Sequence, residues 1–221
     1  PLAVMQTNLE VFARKKTPTI EEYQDIFGMI QNQTERLSHL SEVLLDMTGI
    51  QSVERSDSIS LAELTDEVCC DLASIADQKK VELIQEEGDC TVTGSYLLLY
   101  RAVYNLVENA IKYNHSGGKV TVKISQTKAL PAAHSKPTDY ALVEVTDTGI
   151  GISPEFQEKI FDPFFRVDKS RSRAMGGAGL GLALVAEIAR QHGGQVKVLA
   201  SSKKGSTIAL MLPINSPLIE I

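Results

Sequence analysis

The sequence predicts an α+β chain in which a helical hairpin precedes a two-layer α/β sandwich, with a mixed sheet packed on helices. Over residues 1–52 the apolar residues recur at steps of three and four, which is typical of helices that pack along one stripe. Beyond residue 57 the period changes, and short strands are interspersed with amphipathic helices. Strands and helices in this mixed order favour a layered sandwich. A chain of 221 residues can bury the core of one large domain or of two smaller ones.

Residues 1–52 are predicted to form two helices. Residues 2–14 have an apolar face of helical period, and Pro18 interrupts that pattern. Thr19 followed by Glu22 forms a capping box, which indicates that a second helix begins there.

The second helix has a regular apolar seam and is expected to run to about Thr48, where Gly49 can end it. Two helices with one apolar stripe each cannot bury both stripes alone. We therefore expect two copies to pair in a four-helix bundle. The alternative is a helical arm folded onto its own domain. The seam consists of Tyr23, Ile26, Ile30, Gln33, Leu37, Leu40, Leu44 and Met47.

The second part of the chain alternates between strands and helices after a polar linker at residues 50–58. The predicted strands are Ser58–Leu61, Val81–Ile84, Cys90–Thr93, Val120–Ile124, a strand that leads to Asp147, Gln195–Ala200 and Thr207–Leu212. The predicted helices are residues 62–79 with an apolar face of Leu64, Val68, Leu72 and Ile75, residues 96–113, a short helix after Pro154, and Leu180–Gln191 closed by Gly193–Gly194. Residues 167–178 contain little that could pack and are predicted to be mobile.

Composition excludes several classes of function. The net charge is −6 with both signs interspersed, which argues against nucleic acid or an anionic membrane as the main partner. Cys69, Cys70 and Cys90 have no metal-ligand spacing and are interpreted as reduced thiols. No apolar run approaches the roughly eighteen residues of a membrane helix, and no signal peptide is visible.

The stretch Asp147–Ile152 is the first candidate for a binding site. It follows alternating apolar residues that indicate a buried strand. A carboxylate at a strand end can accept a hydrogen bond from an exocyclic amine. Gly149 and Gly151 let the backbone turn sharply beside a flat ligand. By itself Asp-x-Gly also marks many ordinary turns.

Polar residues on the predicted helix 96–113 form the second candidate. Asn105, Asn109 and Lys112 share one face of this apolar helix, and Tyr113 lies at its edge. A carboxamide oxygen is a suitable ligand for Mg²⁺, and a lysine can meet a phosphate. The alternative is that the asparagines only cap neighbouring backbone groups.

Two further stretches complete the set. Phe161–Arg166 is an aromatic anchor that ends in a guanidinium, and Gly176–Leu182 is a glycine run that opens a helix. The N–H groups and dipole of a helix start favour an anion. The run is not a P-loop, because no Gly-Lys-Ser/Thr follows. It is not a dinucleotide fingerprint, because it does not follow a buried strand directly.

In this order and spacing the four stretches resemble the kinase core of a sensor histidine kinase of two-component signalling. The resemblance covers essentially the whole chain and implies a truncated dimerisation hairpin at 1–52 and a catalytic ATP-binding domain of the gyrase/histidine-kinase type at 57–214. Asn105–Tyr113 is similar to the family's N box, Asp147–Ile152 to its G1 box, Phe161–Arg166 to its F box and Gly177–Gly181 to its G2 box.

The resemblance also implies ATP and Mg²⁺ as cofactors and assigns roles to residues. Asp147 would accept from the adenine amine, and Thr207 would assist it through water. Asn109 would hold Mg²⁺, assisted by Asn105. The phosphates would be faced by Lys112, Tyr113 and Arg166, beneath a lid of residues 167–178. Asn105, Lys112 and Arg166 are the predicted catalytic residues. The other implied nucleotide contacts are Gly149, Gly151, Ile152, Phe165, Gly177, Gly179, Leu180 and Gly181.

The sequence departs from the family at the phosphate acceptor. The family uses a histidine just before a Thr-Pro-Leu stretch, and Pro1-Leu2 resembles the end of that motif. The acceptor and the acidic residue beside it are therefore expected to lie outside the sequence, and self-phosphorylation is not expected. His39 is on the second helix, where the family has no acceptor. His192 suits a helix C-terminus as a partly cationic ring.

The implied partners are a response regulator and a second copy of the hairpin. The kinase core is expected to be cytoplasmic, in a parent anchored to the membrane by upstream segments, and the ATP-binding domain would swing on the linker. Two other classes remain open: a gyrase-type ATPase, and a nucleotide-binding adaptor without kinase activity. Gyrase-type enzymes carry a water-activating glutamate where this chain has Asn105, which cannot act as a base. Glu108 is expected to point to another side of the helix.

Overall fold

The computed structural model describes residues 2–15, 17–31, 33–34, 53–129, 138–167 and 179–214. Helix α1 spans Leu2–Ala13, and residues 20–31 belong to a second helix, α2. The predicted capping box is confirmed: the backbone N–H of Glu22 donates to Thr19 Oγ1 at 3.3 Å, and the Thr19 N–H donates to the Glu22 carboxylate at 3.0 Å. The rings of Phe12 and Tyr23 meet edge to face with centroids 5.0 Å apart, so the two helices contact each other across the turn. The seam from Leu37 to Met47, like His39, lies outside the described residues.

The rest of the described chain contains two sheets. A five-stranded sheet has the order β2-β4-β5-β7-β6, in which β2 and β4 are parallel and the other neighbours antiparallel; β1 and β3 form a separate antiparallel pair. The strands are β1 (Asp57–Ser60), β2 (Glu82–Gln85), β3 (Thr91–Gly94), β4 (Lys119–Ala129), β5 (Thr138–Asp147), β6 (Gln195–Ser202) and β7 (Gly205–Pro213).

Three helices cover one face of the larger sheet. They are α3 (Leu61–Lys79), α4 (Tyr96–Lys112) and α5 (Gly181–Gln191), with α4 packed between the other two. Alternate residues of the strands point into this layer, as Val120 and Val122 of β4 and Val143 and Val145 of β5 do. The predicted two-layer α/β sandwich with a mixed sheet is therefore confirmed.

Most predicted elements are present, with local corrections. Ile75 is 40% exposed, whereas Ala76 is 2% exposed, so the buried stripe of α3 continues through Ala76. The reason is the helical period, because the residue four positions after Leu72, Ala76, lies on the same buried side of the helix. Two 3₁₀ turns, Pro154–Phe156 and Lys159–Phe161, replace the short helix predicted after Pro154. The glycine closure of α5 is confirmed, since the Gly194 N–H donates to Ala189 O at 2.8 Å and Gly193 has φ +68°.

The predicted linker is attached to the sandwich well before residue 58. Val53 packs against the hydrophobic core, and the Arg55 guanidinium donates to Gln191 Oε1 at 3.1 Å. The Asp57 carboxylate accepts from the Tyr96 N–H at 3.1 Å and so caps α4, whose N-cap residue makes no side-chain hydrogen bond of its own. Residues 53–58 are therefore attached to the sandwich, whereas residues 50–52 of the predicted linker lie outside the described residues.

His192 differs from the expectation of a partly cationic ring. Burial lowers the pKa of the ring, and the neighbouring Arg55 charge lowers it further. The hydrogen bond to Ile188 raises the pKa but does not outweigh the burial. Nε2 accepts from the Ser95 N–H at 3.1 Å, which requires that nitrogen to be unprotonated, and Nδ1 therefore donates to Ile188 O at 2.8 Å. The ring is neutral and joins the start of α4 to the end of α5.

Cys69, Cys70 and Cys90 are free thiols, as predicted. Within the described parts of the chain, no helix combines the length and the apolar character that a membrane span requires.

Candidate functional site

A cleft of about 190 Å³ lies between the C-terminal half of α4, the loop after β5 and the start of α5. Val167 and Gly179, which flank the undescribed residues 168–178, are both on its lining. The described residues that line it are Asn105, Leu106, Glu108, Asn109, Ala110, Lys112, Tyr113, Val145, Asp147, Ile150, Gly151, Ile152, Ile160, Phe165, Arg166, Val167, Gly179, Gly181, Leu182, Ser206 and Ile208.

One wall of the cleft is a polar stripe on α4. The stripe begins at Asn105 and continues three, four and seven residues later at Glu108, Asn109 and Lys112. These offsets place all four residues along one side of the helix. Outside this stripe α4 has one charged residue, Arg101, and apolar residues such as Leu99 and Val103 are buried in the core. This stripe corrects the expectation for Glu108, which lines the cleft together with the asparagines because it is four residues before Lys112.

Asn105 makes the backbone contact that the alternative expects, but only through its amide N–H side. Asn105 Nδ2 donates to Arg101 O at 2.8 Å, which satisfies the amide N–H side. Its Oδ1 faces the start of α5: a Cβ added to Gly181 would lie 2.6 Å from Asn105 Oδ1 and 3.6 Å from Asn109 Nδ2. Glycine at 181 therefore lets the first turn of α5 approach both carboxamides.

Asp147 also lines the cleft and occupies the last position of β5. The Gly149 N–H donates to Asp147 Oδ1 at 2.7 Å. Burial raises the pKa of this carboxyl, and hydrogen bonds from the backbone of Gly149 and Ser206 oppose that rise. The two N–H donors hold the carboxylate in one orientation, with its other acceptor positions available to a ligand.

Gly149 and Gly151 are required for close backbone contacts. A Cβ on Gly149 would lie 2.5 Å from Tyr113 O and 2.8 Å from Asp147 Oδ1. Gly151 has φ +71°, and a Cβ there would lie 1.8 Å from Ser202 O. The loop after β5 is therefore pressed between the end of α4 and the β6–β7 hairpin.

The aromatic stretch forms a third side of the cleft. Phe165 packs on Phe156 with ring centroids 5.7 Å apart, and Arg166 follows it along the lining. The Phe164 N–H donates to Gly179 O at 2.8 Å. Gly179 has φ +74°, and a Cβ added to it would lie 2.8 Å from Phe165 O, so no side chain fits there. This contact joins the two ends of the segment between Val167 and Gly179.

The cleft brings together most of the sequence-predicted site residues: Asn105, Asn109, Lys112, Tyr113, Asp147, Gly151, Ile152, Phe165, Arg166, Gly179 and Gly181. Gly149 lies behind Asp147 and does not line the cleft. Leu180 is 1% exposed and belongs to the hydrophobic core instead. Gly177 lies outside the described residues.

The role predicted for Thr207, beside Asp147 in the nucleotide site, is wrong. Its Oγ1 lies 3.0 Å from Thr146 Oγ1 on the sheet face that points away from the helices. Strand β7 pairs Asp147 with Ser206, and side chains alternate along a strand, so Ser206 is on the cleft side with Asp147. The alternation of Ser206, Ile208, Leu210 and Leu212 in the sequence contains the signal that identifies the correct face.

Comparison with known proteins agrees with this architecture. A family model described as "Histidine kinase-, DNA gyrase B-, and HSP90-like ATPase" matches residues 94–216. The sensor histidine kinase RppB of Synechocystis sp. is 32% identical over 221 residues, which cover 98% of this chain and 46% of the relative. The sensor-like histidine kinase SenX3 of Mycobacterium tuberculosis is 35% identical over 186 residues, which cover 82% of this chain and 43% of the relative.

A solved structure, that of the mycobacterial sensor histidine kinase MprB, superposes with a TM-score of 0.56 at 28% identity, covering 72% of this chain and 97% of that one. The chain spans less than half the length of RppB and SenX3. Because the family model matches more than half of its residues, the chain belongs to the histidine kinase-, DNA gyrase B- and HSP90-like ATPases, and within them it is similar to the kinase cores of sensor histidine kinases.

Proposed function

We propose that this chain is the ATP-binding catalytic core of a sensor histidine kinase. It binds ATP in the cleft and supplies the γ-phosphoryl group to a histidine on a helical dimerisation domain, from which the group passes to an aspartate of a response regulator. The observation that carries the proposal is that an oriented carboxylate, Asp147, and a polar helix face with Asn109 and Lys112 line one cleft.

The end near Asp147 suits the adenine base. A carboxylate held by two backbone N–H groups can accept from the exocyclic amine of adenine but would repel the carbonyl that guanine has there. Ile152, Val145 and Ile208 provide apolar contact for the flat ring.

The part of the cleft lined by Lys112, Arg166 and the start of α5 suits the phosphates. Lys112 and Arg166 bring two positive charges to the lining, and Gly179 and Gly181 lie at the N-terminal end of an 11-residue helix. Backbone N–H groups and the helix dipole favour an anion there. Asn105, Lys112 and Arg166 would then act on the transferring group by orienting it and compensating its charge.

The donor set also fits Mg²⁺. The carboxamides of Asn105 and Asn109 are neutral oxygen donors beside the start of α5, and Mg²⁺ in such sites is completed by phosphate oxygens and water. Asn109 would hold the ion, with Asn105 beside it. The ion would neutralise charge on the phosphates during transfer.

The domain arrangement follows from the same proposal. Residues 1–52 would form the dimerisation hairpin and residues 57–214 the ATP-binding domain. Apolar side chains such as Val11, Ile20 and Phe27 are 60%, 79% and 65% exposed, which supports their burial against a second copy. The core would work in the cytoplasm of a membrane-anchored parent.

Glu108 favours slow ATP hydrolysis as a second candidate activity. Gyrase-type hydrolysis is disfavoured by the carboxamide at Asn105, but Glu108 brings a carboxylate to the same wall of the cleft. Measuring phosphate release by the wild type and by Glu108→Gln decides this candidate, because a hydrolytic role predicts that release falls in the variant while ATP affinity does not.

Calorimetry with ATP, with and without Mg²⁺, tests the proposed function, alongside a mass measurement in solution. We expect ATP to bind, Mg²⁺ to strengthen binding, and the mass to be that of a dimer. Absence of any ATP binding would refute the proposal, and a monomeric mass would refute the pairing of the hairpins alone.

A further inference from the structure

Strand β6 contains a bulge beside the cleft. Its pairing with β7 shifts between Val198 and Ala200, so that Leu199 has no partner in β7 and is 47% exposed. Before the bulge, Val198 pairs with Ile208; after it, Ser201 pairs with Ser206. Without the extra residue, strict alternation would direct Ala200 and Ser202 to the helix side. The bulge therefore turns the Ser201 side chain towards the cleft, and bulges next to functional sites commonly re-aim a side chain in this way.

The Ser201 hydroxyl joins two walls of the cleft. Its Oγ accepts from the Ile152 N–H at 2.7 Å and lies 2.9 Å from Ser206 Oγ. Ile152 belongs to the loop after β5, whereas Ser206 lies beside Asp147 and its backbone helps to hold that carboxylate. Both Ile152 and Ser206 line the cleft, but Ser201 does not.

We propose that Ser201 is a positioning residue for recognition of the purine base, an inference that rests on the proposed function. It acts through two residues that line the cleft, because its hydroxyl fixes the spacing between the Gly151–Ile152 backbone and the Ser206–Asp147 pair. A hydroxyl can accept from the Ile152 N–H and still exchange a hydrogen bond with Ser206, and no other small side chain except threonine keeps both contacts without a change of shape.

The β6–β7 hairpin does not need Ser201 for its own closure. Its turn is held at Ser202, whose Oγ accepts from the Lys204 N–H at 3.1 Å, and by the pairing of Ser202 with Gly205. Ser202 is exposed and is not among the described residues that line the cleft. Ser202→Ala is thus a matched control that removes a hydroxyl from the neighbouring position of the same hairpin.

The test compares binding of ATP and of inosine triphosphate, which has a carbonyl in place of the adenine amine, by calorimetry. We expect Ser201→Ala to weaken ATP binding about tenfold, the scale of one unsatisfied buried donor. Binding of inosine triphosphate should weaken much less. The ratio of the two affinities, which measures the preference for ATP, should therefore fall. Ser201→Thr should restore the preference, and Ser202→Ala should match the wild type. The Ile152 amide hydrogen should exchange with solvent faster in Ser201→Ala than in the wild type. In Ser201→Thr and Ser202→Ala its exchange rate should equal that of the wild type.

Equal weakening of both nucleotides in Ser201→Ala would overturn the inference, since general loosening of the domain has that effect. Unchanged ATP affinity with an unchanged Ile152 exchange rate would also overturn it. Failure of the wild type to bind ATP would instead refute the proposed function, and this inference with it, so the two failures are distinguishable.

Discussion

The backbone N–H of Gly149 donates to Asp147 Oδ1 at 2.7 Å, from a glycine whose place admits no side chain. A residue two positions along the chain thus orients a carboxylate that lines the cleft. Asp147 is partly desolvated there, which raises its pKa, and the hydrogen bonds from Gly149 and Ser206 support its ionised form. This acceptor is held in place by the protein's own backbone.

Asp147→Asn is expected to weaken ATP binding by about tenfold or more. The carboxamide introduced by this substitution would present an N–H group or a weaker acceptor to the adenine amine, and hydrogen bonds to charged groups contribute about 1.5–3 kcal/mol. Calorimetry measures the change. Asp139→Asn, at the exposed other end of β5, is the control and should bind like the wild type. Equal affinity in Asp147→Asn and the wild type would remove Asp147 from base recognition.

Gly151→Ala is expected to lower the free energy of unfolding by more than about 3 kcal/mol and to abolish ATP binding. It combines a positive φ with a Cβ placed 1.8 Å from Ser202 O. Urea denaturation measures the effect.

Gly117→Ala separates the two causes of that effect. Gly117 has φ +78°, but a Cβ there meets nothing within 4 Å, so only backbone strain of about 1 kcal/mol is expected. Similar losses in the two variants would mean that the contact with the β6–β7 hairpin does not constrain the loop.

Asp57→Ala is expected to destabilise the domain by about 1 kcal/mol, because it removes the cap of α4. A carboxylate at a helix N-terminus also interacts with the helix dipole, so the difference from the wild type should shrink at high salt. Glu54→Ala is the control, since Glu54 accepts from the hydroxyl of Ser56 in the same segment and does not cap α4. Denaturation curves at low and high salt measure both effects. An Asp57→Ala variant as stable as Glu54→Ala would contradict the capping role.

His192 is expected to make the domain less stable below neutral pH. Its folded-state pKa lies below the ordinary value of 6.5, so the unfolded chain takes up the proton first as the pH falls. The contribution of His192 to the free energy of unfolding is fully present above about pH 6.5. It is lost below that pH, by up to about 1.4 kcal/mol per pH unit.

His192→Gln tests this expectation, because glutamine can accept from the Ser95 N–H but does not titrate. Unfolding free energies between pH 7 and 5 should fall less steeply in His192→Gln than in the wild type. The control is His115→Gln, which removes an imidazole from an exposed position outside this contact. Identical slopes in all three proteins would show that His192 titrates in the folded state as it does in the unfolded chain.

Local sequence was sufficient for much of the fold. The capping box of Thr19 and Glu22, the Gly193–Gly194 closure and the apolar period of α4 each depend on neighbours within a few residues, and the structure contains all three. The polar stripe on α4 was also readable, because helical period alone puts Asn105, Asn109 and Lys112 on one side. Glu108 was missed although the same period includes it.

Tertiary structure decided what period alone could not. Whether Ser206 or Thr207 accompanies Asp147 depends on the register between β5 and β7, and a shift of one residue exchanges the two faces of a strand. The contact of Ser201 with Ile152 depends on a bulge that local sequence does not mark. The neutral state of His192 depends on burial against Ser95, a residue far away along the chain. Sequence determined which elements form and which residue types they carry, because these follow from short-range geometry; pairing, burial and desolvation arise only when distant segments pack together.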